Sequence, residues 1–232
     1  MTTKTEQLNR LFDQWIENCS FKVFMRDGII CEQRYENVLF ILKDVNNAKP
    51  DELNDMRIDV QTSLSGGKTW FNIARWASAL LDGKEFPRFQ EDVFAIYKND
   101  YHTFQHDQLQ RVSIVNLKKE AGGGNVSNTI VNKYAITHKN YLIKEIEICS
   151  PKIIVVCGVG IFDGVQAVLG TATPIKKPRP QFELATDWVI GTVSLDTRKV
   201  PIVQFRHPST GCSAEKSYND MIKIREYLRE YI

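Results

Sequence analysis

Polar side chains of three chemical kinds follow short apolar segments of this sequence. A carboxylate can orient water or stabilise positive charge, an amide offers a donor and an acceptor side by side, and an imidazole can hydrogen-bond to a leaving anion. Each group alone also suits an ordinary role, such as capping a turn or satisfying loop backbone. Together they suit hydrolysis of a bond to a polar ring. The residues are Asp44 and Asn46, Asn116, and His207 and Ser209.

The segment FRHPST, residues 205–210, places a histidine directly before a proline. Proline has no backbone N–H for a sheet ladder, so a central strand is not expected to continue through it. Histidine can gain or lose a proton near neutral pH. We therefore interpret this segment as a loop that presents the side chain of His207.

Four short apolar segments predict strands that are buried on both faces of a sheet. Between them, apolar residues recur at three- and four-residue spacing, which predicts helices. This alternation favours a three-layer αβα fold with a mostly parallel central sheet of about four strands. The strand segments are NVLFILKD (37–44), RVSIVNL (111–117), KIIVVCGVG (152–160) and VPIVQF (200–205). The predicted helices cover 70–83, 89–104, 132–149 and 215–232.

Parallel strands place their carboxyl ends at one edge of the sheet, where ligands bind in folds of this class. We therefore expect Asp44, Asn116 and His207 to converge at that edge. The remaining strand segment ends in CGVG, residues 157–160. Its glycines suit either a phosphate-binding turn or close packing of the next helix, and the full GxGxxG pattern is absent.

The chain length suits one large domain, residues 1–232. We interpret residues 1–36 as an N-terminal helical extension of this domain, and residues 186–203 as a peripheral hairpin. The opening helix is predicted because apolar residues recur there at helical spacing. These residues are Leu8, Leu11, Phe12 and Trp15.

Composition argues against several classes of protein. The net charge of +2 gives no sign of a general polyanion partner, and the short basic cluster at 175–180 suits a solvated loop. No segment approaches the roughly 20 apolar residues of a membrane-spanning helix, and no signal peptide is evident. Five cysteines without a CxxC pair favour a reducing compartment over a disulfide framework or a metal site. We expect a cytoplasmic monomer that binds no metal and no membrane.

Three segments in the second half of the chain resemble the uracil-DNA glycosylase superfamily. They correspond to a strand that ends in Asn, a long helix with the strand after it, and a terminal His-Pro-Ser loop. The similarity is closest to the thermostable iron–sulfur branch of the superfamily. The segments are RVSIVNLKKEAGG (111–123), YAITHKNYLIKEIEICSPKIIVVCGVG (134–160) and PIVQFRHPST (201–210).

The resemblance extends upstream and covers residues 37–232. LFILKDVNN falls where the superfamily has a strand and its water-activating loop, so Asp44 takes the place of the catalytic aspartate. Asn72 and Ile73 resemble an Asn-Ile pair that a helix carries in the branch with this aspartate.

The resemblance implies a reaction and a role for each candidate residue. The reaction is hydrolysis of the N-glycosidic bond of uracil or another altered pyrimidine in DNA. Asp44 would stabilise positive charge on the sugar and orient water, His207 would donate a hydrogen bond to the departing base, and Asn116 would recognise the pyrimidine edge. The other implied residues are Asn46 and Trp70 or Phe71 in the base pocket, with Lys118, Ser209 and Thr210 on the DNA backbone.

The sequence departs from the superfamily at three places. Leu42 and Val45 stand where the branch with a catalytic aspartate has Gly and Pro. The cysteine ligands of the iron–sulfur branch are absent, so we predict no cluster and no other cofactor. The segment 210–212 follows the His-Pro-Ser loop where active relatives carry a bulky wedge, which implies a different way of extruding the base.

Two alternatives to a glycosylase stay open at this point. The first is a non-catalytic protein of the same fold that binds nucleic acid or a free base. The second is an unrelated doubly wound enzyme that binds a nucleotide at CGVG and uses His207 for another reaction.

Overall fold

In the part of the chain that the structure describes, a seven-stranded sheet carries helices on both faces. The computed structural model describes residues 2–21, 23–45, 54–62, 67–86, 94–120, 126–175, 189–209 and 212–231. The strands are β1 (Met25–Arg26), β2 (Gly28–Ile29), β3 (Val38–Asp44), β4 (Asn54–Asp55), β5 (Val112–Lys118), β6 (Ile153–Cys157), β7 (Thr173–Pro174), β8 (Ile190–Leu195) and β9 (Arg198–Phe205). The helices are α1 (Lys4–Cys19), α2 (Met56–Thr62), α3 (Lys68–Asp82), α4 (Phe94–Leu109), α5 (Asn128–Thr137), α6 (Lys139–Cys149), α7 (Phe162–Leu169) and α8 (Ala214–Tyr227). Short 3₁₀ helices cover Glu32–Arg34 and Val159–Ile161.

The four central strands of the sheet are parallel. β3 pairs with β5 on one side and with β6 on the other, and β9 pairs with β6. These are the four strands that the apolar segments predict. Their Val- and Ile-rich sequences suit strands that helices cover on both faces. The predicted α/β class with a mostly parallel central sheet is therefore confirmed.

The sheet has seven strands rather than the expected four or so, because short antiparallel strands extend both edges. β2 pairs with β5 at one edge, and β8 pairs with β9 toward the other edge, where β7 follows. The hairpin of β8 and β9 turns at Asp196, whose φ of 50° is left-handed. It matches the hairpin predicted over 186–203, of which 186–188 lie outside the described residues.

Alternate residues of the central strands face opposite helical layers. Phe40 packs into the core that includes residues of α2, α3, α4 and α8. Leu39 and Ile41 pack into the core that includes residues of α1, α5, α6 and α7. The sheet is thus the middle of three layers. Among the described helices, none combines the length and the apolar character that a bilayer crossing demands.

The N-terminal segment packs into the second of these cores. The Thr3 hydroxyl accepts a hydrogen bond from the backbone N–H of Glu6, whose carboxylate accepts one from the backbone N–H of Thr3. This capping box starts α1. The segment interpreted as an extension also supplies β2 to the edge of the sheet. The apolar residues at helical spacing are buried, as predicted: Leu8, Leu11, Phe12 and Trp15.

Three predicted helices have clearly different bounds in the structure. The helix predicted over 215–232 is α8, which ends at Tyr227. The single helix predicted over 132–149 is two helices, α5 and α6, which meet at His138. The backbone of His138 leaves the helical region at φ −105° and ψ 20°, and its Nδ1 accepts a 3.1 Å hydrogen bond from the indole N–H of Trp15. This contact spans 123 positions, so local periodicity contains no sign of it. The helix predicted over 89–104 is α4, which continues to Leu109, while residues 89–93 lie outside the described residues.

Trp15→Ala is expected to lower the free energy of unfolding by about 3–5 kcal/mol, because it removes a large buried side chain and leaves a cavity. Trp15 is fully buried and stacks on Tyr141 with 5.0 Å between ring centroids. Urea denaturation followed by circular dichroism measures the change.

Ile136→Ala is the control for the Trp15 substitution, because Ile136 is 58% exposed. It is expected to change the free energy of unfolding by no more than about 0.5 kcal/mol. A similarly small effect of Trp15→Ala would contradict the packing of α1 on the sheet.

Candidate active site

A cleft of about 450 Å³ opens at the carboxyl ends of the central strands. This volume lies within the roughly 300–1,000 Å³ that small-molecule sites occupy. Its wall combines apolar side chains with two carboxylates, an ammonium, an amide and an imidazole. The three strand-end residues predicted to converge therefore line one cleft. The residues with candidate roles are Asp44, Asn116, His207, Trp70, Met25 and Met56, and the charged residues Lys43 and Asp59 also line the cleft.

The topology explains why this cleft opens where it does. The chain runs from β3 to β5 on one side of β3 and then crosses to β6 on its other side. In doubly wound folds, such a reversal of strand order leaves a crevice at the carboxyl ends, where ligands bind. Asp44 is the last residue of β3 at this crevice, and Asn116 lies beside it on β5, opposite Leu42.

Asp44 brings a half-buried carboxylate to the cleft. Strand alternation places its side chain on the same face as that of Leu42. Among the described residues, Oδ2 of Asp44 is buried and has no hydrogen-bond partner. Buried polar atoms are almost always bonded in native proteins, so one that lacks a partner is a functional candidate. Asp44 has acceptor capacity that the described protein groups do not use.

Two contacts hold the loop that carries His207. Nδ2 of Asn72, in α3, donates to the carbonyl oxygen of Pro208 at 2.5 Å. The guanidinium of Arg206 donates to the carboxylate of Asp220, in α8, at 2.8 Å. Asn72 is buried, so its hydrogen bond is shielded from water. The loop is therefore fixed between α3 and α8 at the side of the cleft.

The hydrogen bonds of His207 assign its tautomer. The backbone N–H of Ser209 donates to Nδ1 of His207 at 3.2 Å, and the Ser209 hydroxyl lies 2.7 Å from the same nitrogen. Because Nδ1 accepts, the proton of the neutral imidazole is on Nε2. Ser209, predicted to contact a phosphate, therefore holds the ring of His207.

The surroundings of His207 favour its neutral form. Burial lowers the pKa of His207, and the positive charge of Lys43 lowers it further, against the opposing effect of Asp44. The imidazole is thus neutral at neutral pH. A neutral imidazole with its proton on Nε2 can donate a hydrogen bond to a developing anion without transferring that proton.

Asn116 is held by a carboxylate outside the set that the sequence predicted. Oδ2 of Asp27 accepts hydrogen bonds from the backbone N–H of Asn116 at 2.8 Å and from its Nδ2 at 3.0 Å. The pairing of β2 with β5 ends at Gly28, opposite Ile114. The carboxylate of Asp27 therefore accepts the hydrogen bond of a β5 backbone N–H that no longer has a strand partner. Nδ2 of Asn116 also contacts the sulfur of Met56 at 3.7 Å.

A buried cluster of charged groups holds Asp27 in turn. The ammonium of Lys119 donates to Oδ1 of Asp27 and, at 2.8 Å, to Oε1 of Glu145. All three side chains are fully buried. Burial opposes charge on Lys119, but the attraction of the two carboxyl groups prevails and raises the pKa of the ammonium. Burial raises the pKa of Glu145 well above its ordinary value, and the Asp27 carboxylate adds to this shift against the attraction of Lys119.

Sequence analysis did not identify Asp27 as a site residue. It lies in the segment interpreted as an extension, 89 positions before Asn116. The available signal is a single acid in the largely apolar segment FMRDGII, residues 24–30. A charge in such a segment needs a buried partner, because an unpaired buried charge is strongly unfavourable.

The two aromatic candidates lie in different places. Trp70 lines the cleft, whereas Phe71 stacks on Tyr101 of α4 with 3.8 Å between ring centroids. Phe71 also lines a separate groove together with Arg75. Adjacent helix residues point about 100° apart, so both cannot face the same cleft wall. Trp70 is the aromatic residue that can stack on a ring in this cleft.

Of the two described candidates for the DNA backbone, Ser209 contacts the cleft residue His207, whereas Lys118 does not line the cleft. Nζ of Lys118 donates to the carbonyl oxygen of Glu120 and lies 5.8 Å from the ring centroid of Tyr134, in α5. The third backbone candidate, Thr210, and the base-pocket candidate Asn46 lie outside the described residues.

The glycines that follow β6 allow close packing of α5. A Cβ atom at Gly160 would lie 1.8 Å from Nδ2 of Asn128, and Asn132 donates to the Gly160 carbonyl at 3.4 Å. Of the two interpretations of CGVG, this geometry agrees with helix packing, but the helix that packs on Gly160 is α5, which precedes the segment, rather than the next helix. Across the described ranges, no three His, Cys, Asp or Glu side chains are grouped so that they could hold a metal ion.

The pKa of His207 is expected to respond oppositely to two neighbouring substitutions. Lys43→Met removes a repelling charge and should raise this pKa, whereas Asp44→Asn removes an attracting charge and should lower it. An NMR titration of the imidazole measures both shifts. Because the folded-state pKa lies below the unfolded value, His207 contributes stability above the unfolded pKa that is lost as pH falls through the folded one. Shifts of the same sign in both variants would contradict the assigned electrostatics.

Comparison with known proteins leaves the family of this chain unassigned. No family model and no curated protein matches it. Among solved structures, it is similar to a domain of unknown function (DUF1537) from Bordetella bronchiseptica, crystallised with bound citrate as a domain-swapped dimer. The sequences are 15% identical and the TM-score is 0.34. The match covers 82% of this chain and 41% of that chain, so this chain spans less than half the length of that structure.

Proposed function

We propose that this protein is a DNA glycosylase-like hydrolase that cleaves the N-glycosidic bond of uracil or another altered pyrimidine in DNA. The observation that carries the proposal is the convergence of Asp44, Asn116 and His207 on one cleft at the carboxyl ends of parallel strands. The sequence resemblance to the uracil-DNA glycosylase superfamily implies a role for each of these residues. The surroundings of each residue suit that role.

Asp44 acts on the sugar. Breaking the bond between base and sugar leaves positive charge on the sugar and negative charge on the base. The carboxylate of Asp44, with an oxygen that the described residues leave unbonded, stabilises the positive charge and orients the attacking water. The water oxygen bonds to the anomeric carbon and gives up one proton to solvent, and the base departs as an anion that later takes a proton from solvent.

His207 acts on the departing base. Its Nε2–H donates a hydrogen bond to the oxygen on which negative charge develops. The lowered pKa keeps the imidazole neutral, so it stabilises this charge as a dipole and keeps its own proton. Ser209 is a positioning residue in this mechanism, because it holds Nδ1 on the far side of the ring.

The remaining cleft wall recognises the extruded base. Extruding a base costs a few kcal/mol of unstacking and unpairing, which the pocket must offset. Trp70 offers an aromatic face, Met25 and Met56 offer apolar surface, and the amide of Asn116 pairs with the polar edge of the ring.

DNA is the proposed partner, with Lys118 and Thr210 as the proposed backbone contacts. Neutralising phosphates releases counterions, so binding should weaken as salt is raised. We also propose that the protein is a monomer and acts in the cytoplasm. The described cysteines are free thiols, which suits a reducing compartment.

DNA with a single uracil or another altered pyrimidine is expected to break at that position after treatment with alkali. Asp44→Asn should slow the reaction by about 10²–10⁴-fold, because it removes the charge that orients water. His207→Gln should slow it by about 10²–10³-fold, because it removes a donor to the leaving anion. Gel analysis of end-labelled single- and double-stranded oligonucleotides measures these rates.

Asp107→Asn is the control for the Asp44 substitution. Asp107 is a solvent-exposed carboxylate paired with Arg34, away from the cleft, and its loss is expected to leave the rate unchanged. Salt-dependent DNA binding without scission of any substrate would contradict hydrolysis and favour a binding protein of the same fold. The absence of both DNA binding and scission would contradict any role in DNA.

A further inference from the structure

The amide of Asn116 has two possible orientations, which differ in whether its nitrogen or its oxygen lies next to Asp27. An ionised carboxylate only accepts hydrogen bonds. Oδ2 of Asp27 lies 2.8 Å from the backbone nitrogen of Asn116 and 3.0 Å from its Nδ2. Turning the amide over would place its oxygen against Oδ2, with no proton between two acceptors. Asp27 therefore enforces the observed orientation.

The other partners of Asp27 fix it in this accepting role. Its Oδ1 accepts a hydrogen bond from the ammonium of Lys119, and both side chains are fully buried. The positive charge of Arg57 acts on the same carboxylate. Gly28, the next residue, has a φ of 104°, and a Cβ there would lie 3.0 Å from Leu8. The backbone turn that presents Asp27 to Asn116 is thus fixed as well.

In this orientation, Asn116 offers its oxygen as an acceptor and its second Nδ2–H as a donor. That N–H contacts the sulfur of Met56 at 3.7 Å, which is a weak acceptor on the cleft wall that a better one can replace. Uracil carries a ring N–H beside a carbonyl oxygen and complements both groups. Cytosine carries an unprotonated ring nitrogen beside an amino group, which is the reverse pattern.

We propose that Asp27 is a positioning residue that makes this site selective for a ring edge of the uracil type over one of the cytosine type. The inference rests on the proposed base pocket and adds the origin of its selectivity. The discrimination comes from a residue that acts through Asn116. It is effective because a reversed edge leaves buried polar groups unpaired.

Binding of the free bases tests this inference without requiring cleavage. The wild-type protein is expected to bind uracil at least about ten-fold more tightly than cytosine, as measured by calorimetry. In Asp27→Asn, the single oxygen of residue 27 can stay with Lys119, which turns an N–H toward Asn116 at the cost of the backbone hydrogen bond, or it can turn to Asn116. Both orientations of the Asn116 amide then become accessible. The preference should then narrow to about three-fold or less, through weaker binding of uracil and stronger binding of cytosine.

Glu145→Gln is the matched control, because it alters the same buried cluster without contacting Asn116. Burial raises the pKa of Glu145 and so favours its neutral form, which a neutral amide resembles, and the wild-type preference should persist. An unchanged preference in Asp27→Asn would overturn the inference. An equally reduced preference for uracil in Asp27→Asn and Glu145→Gln would also overturn it, because the effect would then come from the buried cluster as a whole.

A parallel cleavage assay separates this inference from the proposed reaction. Scission of uracil-containing DNA with a preference that does not depend on Asp27 would overturn the inference alone. A preference that depends on Asp27, without scission of any substrate, would support the inference and contradict hydrolysis. Failure of the wild-type protein to bind either base would overturn the inference whatever the cleavage assay shows.

Hydrogen exchange tests the orientation of Asn116 in the unaltered protein, which covers the case in which Asp27→Asn does not fold. An Nδ2 proton bonded to a buried carboxylate should exchange far more slowly than the side-chain amide of the exposed Gln14. Nitrogen-15 NMR measures both rates. Exchange of Asn116 at the rate of Gln14 would overturn the inference.

Discussion

The ion pair between Lys119 and Asp27 is the interaction on which the orientation of the Asn116 amide in the cleft depends. Both groups are fully withdrawn from water, where an unpaired charge is strongly unfavourable. Removing one partner of such a pair typically destabilises a protein by about 3–5 kcal/mol, since the other charge is left buried. The pair also connects α6, through Glu145, to Asn116 on β5. The same ion pair therefore stabilises the edge of the sheet and positions a side chain of the cleft.

The polar groups of the cleft are arranged around a neutral imidazole. Burial and the charge of Lys43 lower the pKa of His207, so its Nδ1 stays unprotonated. Asp44 stands nearby with unused acceptor capacity. Opposite charges that develop on a reacting bond would then meet a carboxylate on one side and a neutral donor on the other. These groups stand on or directly after strands, and rigid elements hold functional geometry more accurately than long loops do.

Local patterns in the sequence account for much of the fold and for part of the site. The Val- and Ile-rich segments became the parallel strands, and parallel pairing then brought Asp44, Asn116 and His207 to one edge. Asp27 and the helix break at His138 depend on contacts across 89 and 123 positions, which periodicity does not encode. Which of the two neighbouring aromatic side chains of α3 faces the cleft likewise depends on how that helix packs on α4.

The distance along the chain between Asp27 and Lys119 bears on how the protein forms during synthesis. The two residues are 92 positions apart. At about 5–20 residues per second, the ribosome delivers Lys119 roughly 5–20 seconds after Asp27. During this interval the carboxylate has no buried ammonium to pair with and stays in water, so α1 and β2 dock only after β5 and α6 have emerged. The segment of α1 and β2 is therefore made before β5 but reaches its native place after it.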